Sequence, residues 1–187
     1  MSNDQPSCDR SITPVANPKS VFLAGPFKAL VDPEVGQLRA FERSRYEALI
    51  DHLESRGYTV HNAHKREGWG AEFLQPEDCT RIDYEQIRNC SLFVTFPGDP
   101  ASPGTHIEIG WAAALDKPIM LLLEDGYTYA FLVRGLHAIA DVTSVVMPTD
   151  EIGLEAFATT LAALEDRLEH APSGASLRIP ESRTDPR

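Results

Sequence analysis

Short apolar runs alternate with longer amphipathic stretches along the chain. Val21-Phe22-Leu23-Ala24 runs into Gly25-Pro26, the pattern of a buried strand closing into a loop. Residues Gln37 to Arg56 predict a helix, with Leu38, Phe41, Leu49 and Leu53 near one face and Gly57 as its stop. Tyr58-Thr59-Val60 begins a second strand, and a loop rich in charge and glycine follows from His64 to Pro76. Glu77 to Asn89 predicts a helix with Ile82 and Ile87 inward, and Leu92 to Phe96 a third strand broken by Pro97-Gly98. Gly104 to Leu115 predicts a helix that is apolar on one side through Ile109, Ala112 and Ala113. Pro118 to Leu123 and Val142 to Met147 read as the fourth and fifth strands, with a short helix over Tyr127 to Gly135 between them. A last helix spans Ile152 to His170, its Phe157, Leu161, Leu164 and Leu168 spaced by four, three and four.

Alternating strands and helices imply a parallel sheet covered on both faces. Five strands in one domain predict an α/β, flavodoxin-like (Rossmann-like) fold with strand order 2-1-3-4-5. Ligands of such sheets bind beyond the carboxyl ends of the strands, where the order reverses. That rule selects Gly25 to Lys28, Asn62 to Trp69 and Pro97 to Glu108 as the loops that carry chemistry. The ends of the chain, 1–19 and 171–187, are polar and proline-containing and are expected to be tails around a catalytic domain at 20–170.

The chain has 187 residues, enough to bury a core without disulfide staples. Its net charge of -11 disfavours a long nucleic acid as partner, because that affinity rests on neutralising many phosphates. A mononucleotide stays open, since one phosphate needs only a local nest of N–H groups. No apolar run has the length of a membrane span, and the polar start lacks the features of a signal peptide, so a cytoplasmic enzyme is the expectation. Cys8, Cys79 and Cys90 form no CxxC pair and no disulfide framework, and the six histidines form no HExxH. No metal and no cofactor are expected.

The stretch Ala101 to Gly110 is the richest in candidate chemistry. Gly104 allows a tight turn into a helix whose free N–H groups, with the Ser102 and Thr105 hydroxyls, form a natural phosphate seat. Glu108 falls in the first turn, where the helix dipole favours the ionised carboxylate that a nucleophile needs. The competing reading is structural: Thr105-x-x-Glu108 before an apolar run is also a capping box. Gly110, inside the helix, costs about 1 kcal/mol against alanine and points to a packing or access reason. In the first loop, Gly25 permits close backbone approach, Phe27 can face a base or sugar, and Lys28 can meet a phosphate. The same residues also suit an ordinary strand-to-loop turn. In the second loop, His64 and Trp69 fit a polar ligand or, equally, a solvated loop with one anchoring indole. Asp83 alone reads as helix surface.

Strand-Ala24-Gly25-Pro26, Asp83 on a helix, and Ser102-x-Gly104-x-x-x-Glu108-x-Gly110 together resemble the nucleoside 2-deoxyribosyltransferase superfamily, from about Val21 to Met147. Val21 to Phe27, Asn62-Ala63-His64-x-Arg66-Glu67-x-Trp69-Gly70-Ala71-Glu72-Phe73-Leu74 and Pro100 to Trp111 look like its CMP-hydrolase branch, the enzymes of mildiomycin and blasticidin S biosynthesis. The resemblance implies that Glu108 is the nucleophile, that Asp83 assists the leaving base, and that Ser102 holds the 5'-phosphate. It further implies that Gly25 and Phe27 line the sugar and base, that His64 stands on the rim, and that the protein is a homodimer or larger homo-oligomer. Some relatives carry a serine before an Arg-Gly that reaches a neighbour's phosphate; here Ala130 to Gly135 lacks it.

The expected function is hydrolysis of the N-glycosidic bond of a pyrimidine nucleoside 5'-monophosphate, CMP or 5-hydroxymethyl-CMP, in nucleoside antibiotic biosynthesis. Two alternatives remain at this point. A transferase would use the same nucleophile and move the sugar to a second base; a non-catalytic sensor would bind the nucleotide and leave it intact.

Overall fold

A computed structural model describes residues 19–170. Both expected tails, apart from Lys19, lie outside the described residues. Along the chain come β1 (Ser20–Ala24), a small antiparallel hairpin of β2 (Val31–Asp32) and β3 (Gln37–Leu38), α1 (Ala40–Ser55) and β4 (Thr59–His61). Then follow α2 (Ala63–Arg66), α3 (Pro76–Asn89), β5 (Leu92–Thr95), α4 (Pro103–Ala114), β6 (Ile119–Glu124), the single turn α5 (Phe131–Arg134), β7 (Val142–Met147) and α6 (Leu154–His170).

The large sheet has five strands in the order β4-β1-β5-β6-β7, all paired in parallel. Counting only its own strands, this is the expected flavodoxin-like order 2-1-3-4-5. The period-two alternation of β1 divides the core. Val21 and Leu23 face α1 and α6, joining Leu49, Leu53, Phe157 and Leu161, whereas Phe22 and Ala24 face α3 and α4, joining Ile87, Ile109 and Ala112. Every residue of β1 is buried, as a central parallel strand with both faces covered requires.

Local chemistry moved several boundaries. The first helix begins at Ala40 rather than Gln37. The Asp32 carboxylate accepts the Glu34 and Val35 N–H groups, at 2.8 and 3.3 Å, and the chain turns back at Gly36 (φ 71), so Gln37-Leu38 pair with Val31-Asp32 instead. Leu38 is buried in that hairpin, and Phe41, expected to face inward, is exposed. The charged loop after β4 contains α2, whose N-terminus is capped by the Asn62 side chain accepting the Lys65 N–H. On α3 the buried face runs through Asp83 and Ile87, with Ile82 only half-buried. The helix expected over Tyr127 to Gly135 is reduced to the turn α5. No helix among the described residues is long and apolar enough to cross a membrane.

Candidate active site

The strand order reverses between β1 and β5, and the loops leaving these strands meet there. A Cβ on Gly25 would collide with the Tyr46 hydroxyl, and one on Gly98 (φ 84) would stand 2.5 Å from Pro26 Cγ, so each position demands glycine for the loops to pack. Beside them lies a cavity of about 510 Å3, the size of a small-molecule site. It is lined by Gly25, Phe27, Lys28, His64, Asp83, Ser102, Gly104, Thr105 and Glu108, nine of the ten residues that the sequence singles out. A wider, shallow groove of about 1240 Å3 beyond β7 is lined by none of them.

His64 is a fully buried part of the wall rather than a rim residue. Its ring packs against Phe27 at 4.4 Å and Tyr46 at 4.2 Å between centroids. Nε2 donates to the Pro26 carbonyl at 2.9 Å, and Nδ1 accepts from Asn62 Nδ2 at 3.2 Å. Burial pushes it down to about 4, so at neutral pH it is an uncharged strut that fixes the Gly25-Pro26-Phe27 loop. Asn62 extends the strut by donating to the Leu23 carbonyl of β1 at 2.8 Å.

Opposite the β1 loop, α2 and α3 supply a cross-bonded group. Arg66 Nη1 donates to Asp83 Oδ1 at 2.7 Å, Arg66 Nη2 donates to Glu67 Oε1 at 3.1 Å, and Cys79 Sγ donates to Asp83 Oδ2 at 3.2 Å. Asp83 and Glu67 are both buried and need these partners.

The third wall is α4. Its N-cap is Ser102, with Pro103 at the first helical position, and Thr105 Oγ1 donates to Ser102 Oγ at 3.0 Å. Among the described residues, the Gly104 and Thr105 N–H groups have no acceptor. With the helix starting at Pro103, Glu108 stands in the second turn, outside the capping box that competed for it and beyond the reach of most of the dipole effect. The expectation of a dipole-favoured carboxylate is therefore corrected: burial, and then the Asp83 charge, push Glu108 up to about 8, with Arg66 pulling the other way. Gly110 has nothing within 4 Å of where a Cβ would stand, so packing does not account for it.

The profile of the family described as nucleoside 2-deoxyribosyltransferase matches residues 30–164. The chain belongs to that family. It is an enzyme by that membership. Two solved structures resemble it. BlsM is 45% identical, the match covering 86% of this chain and 99% of that one, with a TM-score of 0.70. The CMP N-glycosidase BcmB of Clostridium botulinum is 37% identical, covering 77% of this chain and 99% of that one, with a TM-score of 0.55. No curated protein matches the chain.

For this family member, one expected site residue is elsewhere. Trp69 does not line the cavity. It sits at φ 61, buried in the core on the α1 side of the sheet, with the Arg43 guanidinium 5.2 Å from its ring centroid. The structural reading, an anchoring indole, is the one realised. Lys28 is at the cavity mouth, its Nζ 5.6 Å from the Phe73 ring, and has no carboxylate partner among the described residues. Sequence reasoning missed Glu67, Phe73 and Cys79 as lining residues, and Arg66 behind them. Cys79, Asp83 and Ile87 recur every four residues, a signal for one inward helical face. Among the described residues, no cluster of His, Cys, Asp and Glu could hold a metal ion.

Proposed function

We propose that the protein hydrolyses the N-glycosidic bond of CMP, or of its 5-hydroxymethyl form, to the free base and ribose 5-phosphate. The observation that carries this reading is the meeting, in one cavity, of two carboxylates and an uncapped helix N-terminus: Glu108, Asp83 and the start of α4. The likeness to the CMP N-glycosidase BcmB over nearly all of that chain supports it.

In this mechanism the phosphate sits on the Gly104 and Thr105 N–H groups and the Ser102 hydroxyl, and its binding energy positions the sugar. Phe27 and Phe73, 5.2 Å apart between centroids, offer the base an aromatic surface. Glu108 loses its proton and attacks the anomeric carbon through an oxocarbenium-like transition state. The electron pair of the broken bond leaves with the base, which takes up a proton from water in place of the one Glu108 released, and Asp83 meets that base through a hydrogen bond. Water then opens the glycosyl ester, frees ribose 5-phosphate and restores Glu108.

A homodimer or larger homo-oligomer belongs to the same proposal. Phe131 and Leu132 on α5, 84% and 82% exposed, offer apolar surface to a second copy, and light scattering reads the mass directly. So does a place in nucleoside antibiotic biosynthesis, which rests on the sequence resemblance alone.

The test is chromatography of products after incubation with CMP, 5-hydroxymethyl-CMP, dCMP and cytidine, with no acceptor base. Free base from the monophosphates but not from cytidine is expected. Base release only when a second base is added would make the protein a transferase, and intact CMP in a saturable complex would make it a sensor.

A further inference from the structure

The N-glycosidase reading uses Asp83 but gives no task to the groups that hold it. Arg66, from the end of α2, meets Asp83 Oδ1 at 2.7 Å and is itself steadied by Glu67 at 3.1 Å and Gln86 at 3.3 Å; its Nε has no partner among the described residues. Cys79, one helical turn before Asp83 on α3, donates its S–H to the other oxygen, Oδ2, at 3.2 Å. Both carboxylate oxygens are thus met by donors, and neither needs a proton to be satisfied.

We propose that Cys79 is a positioning residue which, with Arg66, holds Asp83 as an acceptor-only carboxylate, so that Asp83 receives a hydrogen bond from the departing base instead of supplying a proton. This role rests on the N-glycosidase reading and deepens it. The titratable groups around Asp83 are Arg66 and Glu67 from the α2 side, Cys79 from its own helix and Glu108 from α4, which burial keeps protonated at neutral pH. Burial and the hydrogen bond to Asp83 push the Cys79 thiol up to about 12, so it acts as a donor and not as a thiolate nucleophile. An acceptor-only carboxylate fits a base that offers N–H donors. The exocyclic amino group of cytosine is such a donor, and uracil has an oxygen in its place. The same bond that orients Asp83 therefore selects the base.

Two experiments decide it. With CMP as substrate, Cys79→Ala is expected to lower kcat about tenfold, with KM within about twofold, and to move the pH profile of kcat. Cys79→Ser, which keeps a donor on Oδ2, is expected to rescue most of the loss and the profile. Equal profiles for the alanine variant and the wild type would overturn the proposal, as would a serine variant as impaired as the alanine one. Independently of turnover, the alkylation rate of Cys79 is followed by peptide mapping, which separates it from Cys8 and Cys90. The Asp83→Asn variant is expected to be alkylated at least about tenfold faster than the wild type, because the charge that suppresses the thiolate is gone. An unchanged rate would overturn the proposal on its own, whether or not CMP is hydrolysed. A wild-type protein inert toward CMP would instead sink the N-glycosidase reading, and this role with it.

Discussion

Across the cavity, the α2–α3 wall is cross-linked by hydrogen bonds and the α4 wall is not. On the first, Arg66 donates to Asp83 and Glu67 and Cys79 donates to Asp83, all within 3.2 Å, with Arg66 Nε left without a partner among the described residues. On the second, Ser102 and Thr105 bond each other, the Gly104 and Thr105 N–H groups have no acceptor, and Glu108 has no hydrogen-bond partner among the described residues. Polar groups held by their neighbours are preorganised and change little when a ligand arrives; polar groups without partners mark where a ligand supplies them. In the proposed mechanism the cross-bonded wall recognises the base, and the open one binds the phosphate and cleaves the bond.

After the loss of Glu108 itself, breaking the cross-bonded wall has the largest expected effect on turnover. Asp83→Asn keeps the shape but loses the charge and one acceptor, and is expected to lower kcat on CMP by about a hundredfold, the upper worth of a hydrogen bond to a charged group. It is also expected to narrow the preference for CMP over UMP, which competition between the two nucleotides measures. On the open wall, Glu108→Gln separates stability from activity. The folded protein keeps a proton on Glu108 up to about pH 8, while the unfolded chain releases it near the ordinary value of 4.5. The raised group therefore costs the wild type stability as pH rises from about 4.5 to 8. Thermal melts of Glu108→Gln are expected to show a gain of at most about 4 kcal/mol at pH 8 that fades toward pH 4.5. In the active wild type the same raised group predicts that kcat/KM increases with pH through about 8, as the nucleophile ionises. Ser102→Ala has the smallest effect, about a tenfold higher KM for CMP with kcat little changed, because one neutral donor leaves the phosphate seat.

Much of the architecture was legible because buried strands and amphipathic helices carry their period in the residues. Val21–Ala24 and the Phe157, Leu161, Leu164 stripe read directly as strand and helix. The errors came where short-range chemistry overrode the period. Leu38 fits a helical face, yet Asp32 and the turn at Gly36 place it in a hairpin. Residue type and spacing leave Glu108 between a cap and a nucleophile, and the family resemblance favours the second; its electrostatics were not legible, since they depend on the helix starting at Pro103 and on Asp83 facing it across the cavity. Trp69 looked like a ligand platform because an indole suits both a site and a core, and only packing separates the two. Cys79 has no metal or disulfide spacing in the sequence; that its thiol meets a carboxylate one turn away follows from the buried face of α3.

In the proposed mechanism all turnover passes through Glu108. The most direct measurement is release of free cytosine from CMP by Glu108→Ala beside the wild type, with circular dichroism to show that both are folded. No cytosine above background from the folded variant, against turnover by the wild type, is the predicted result; cytosine released by the variant at a rate near the wild type's would contradict the account.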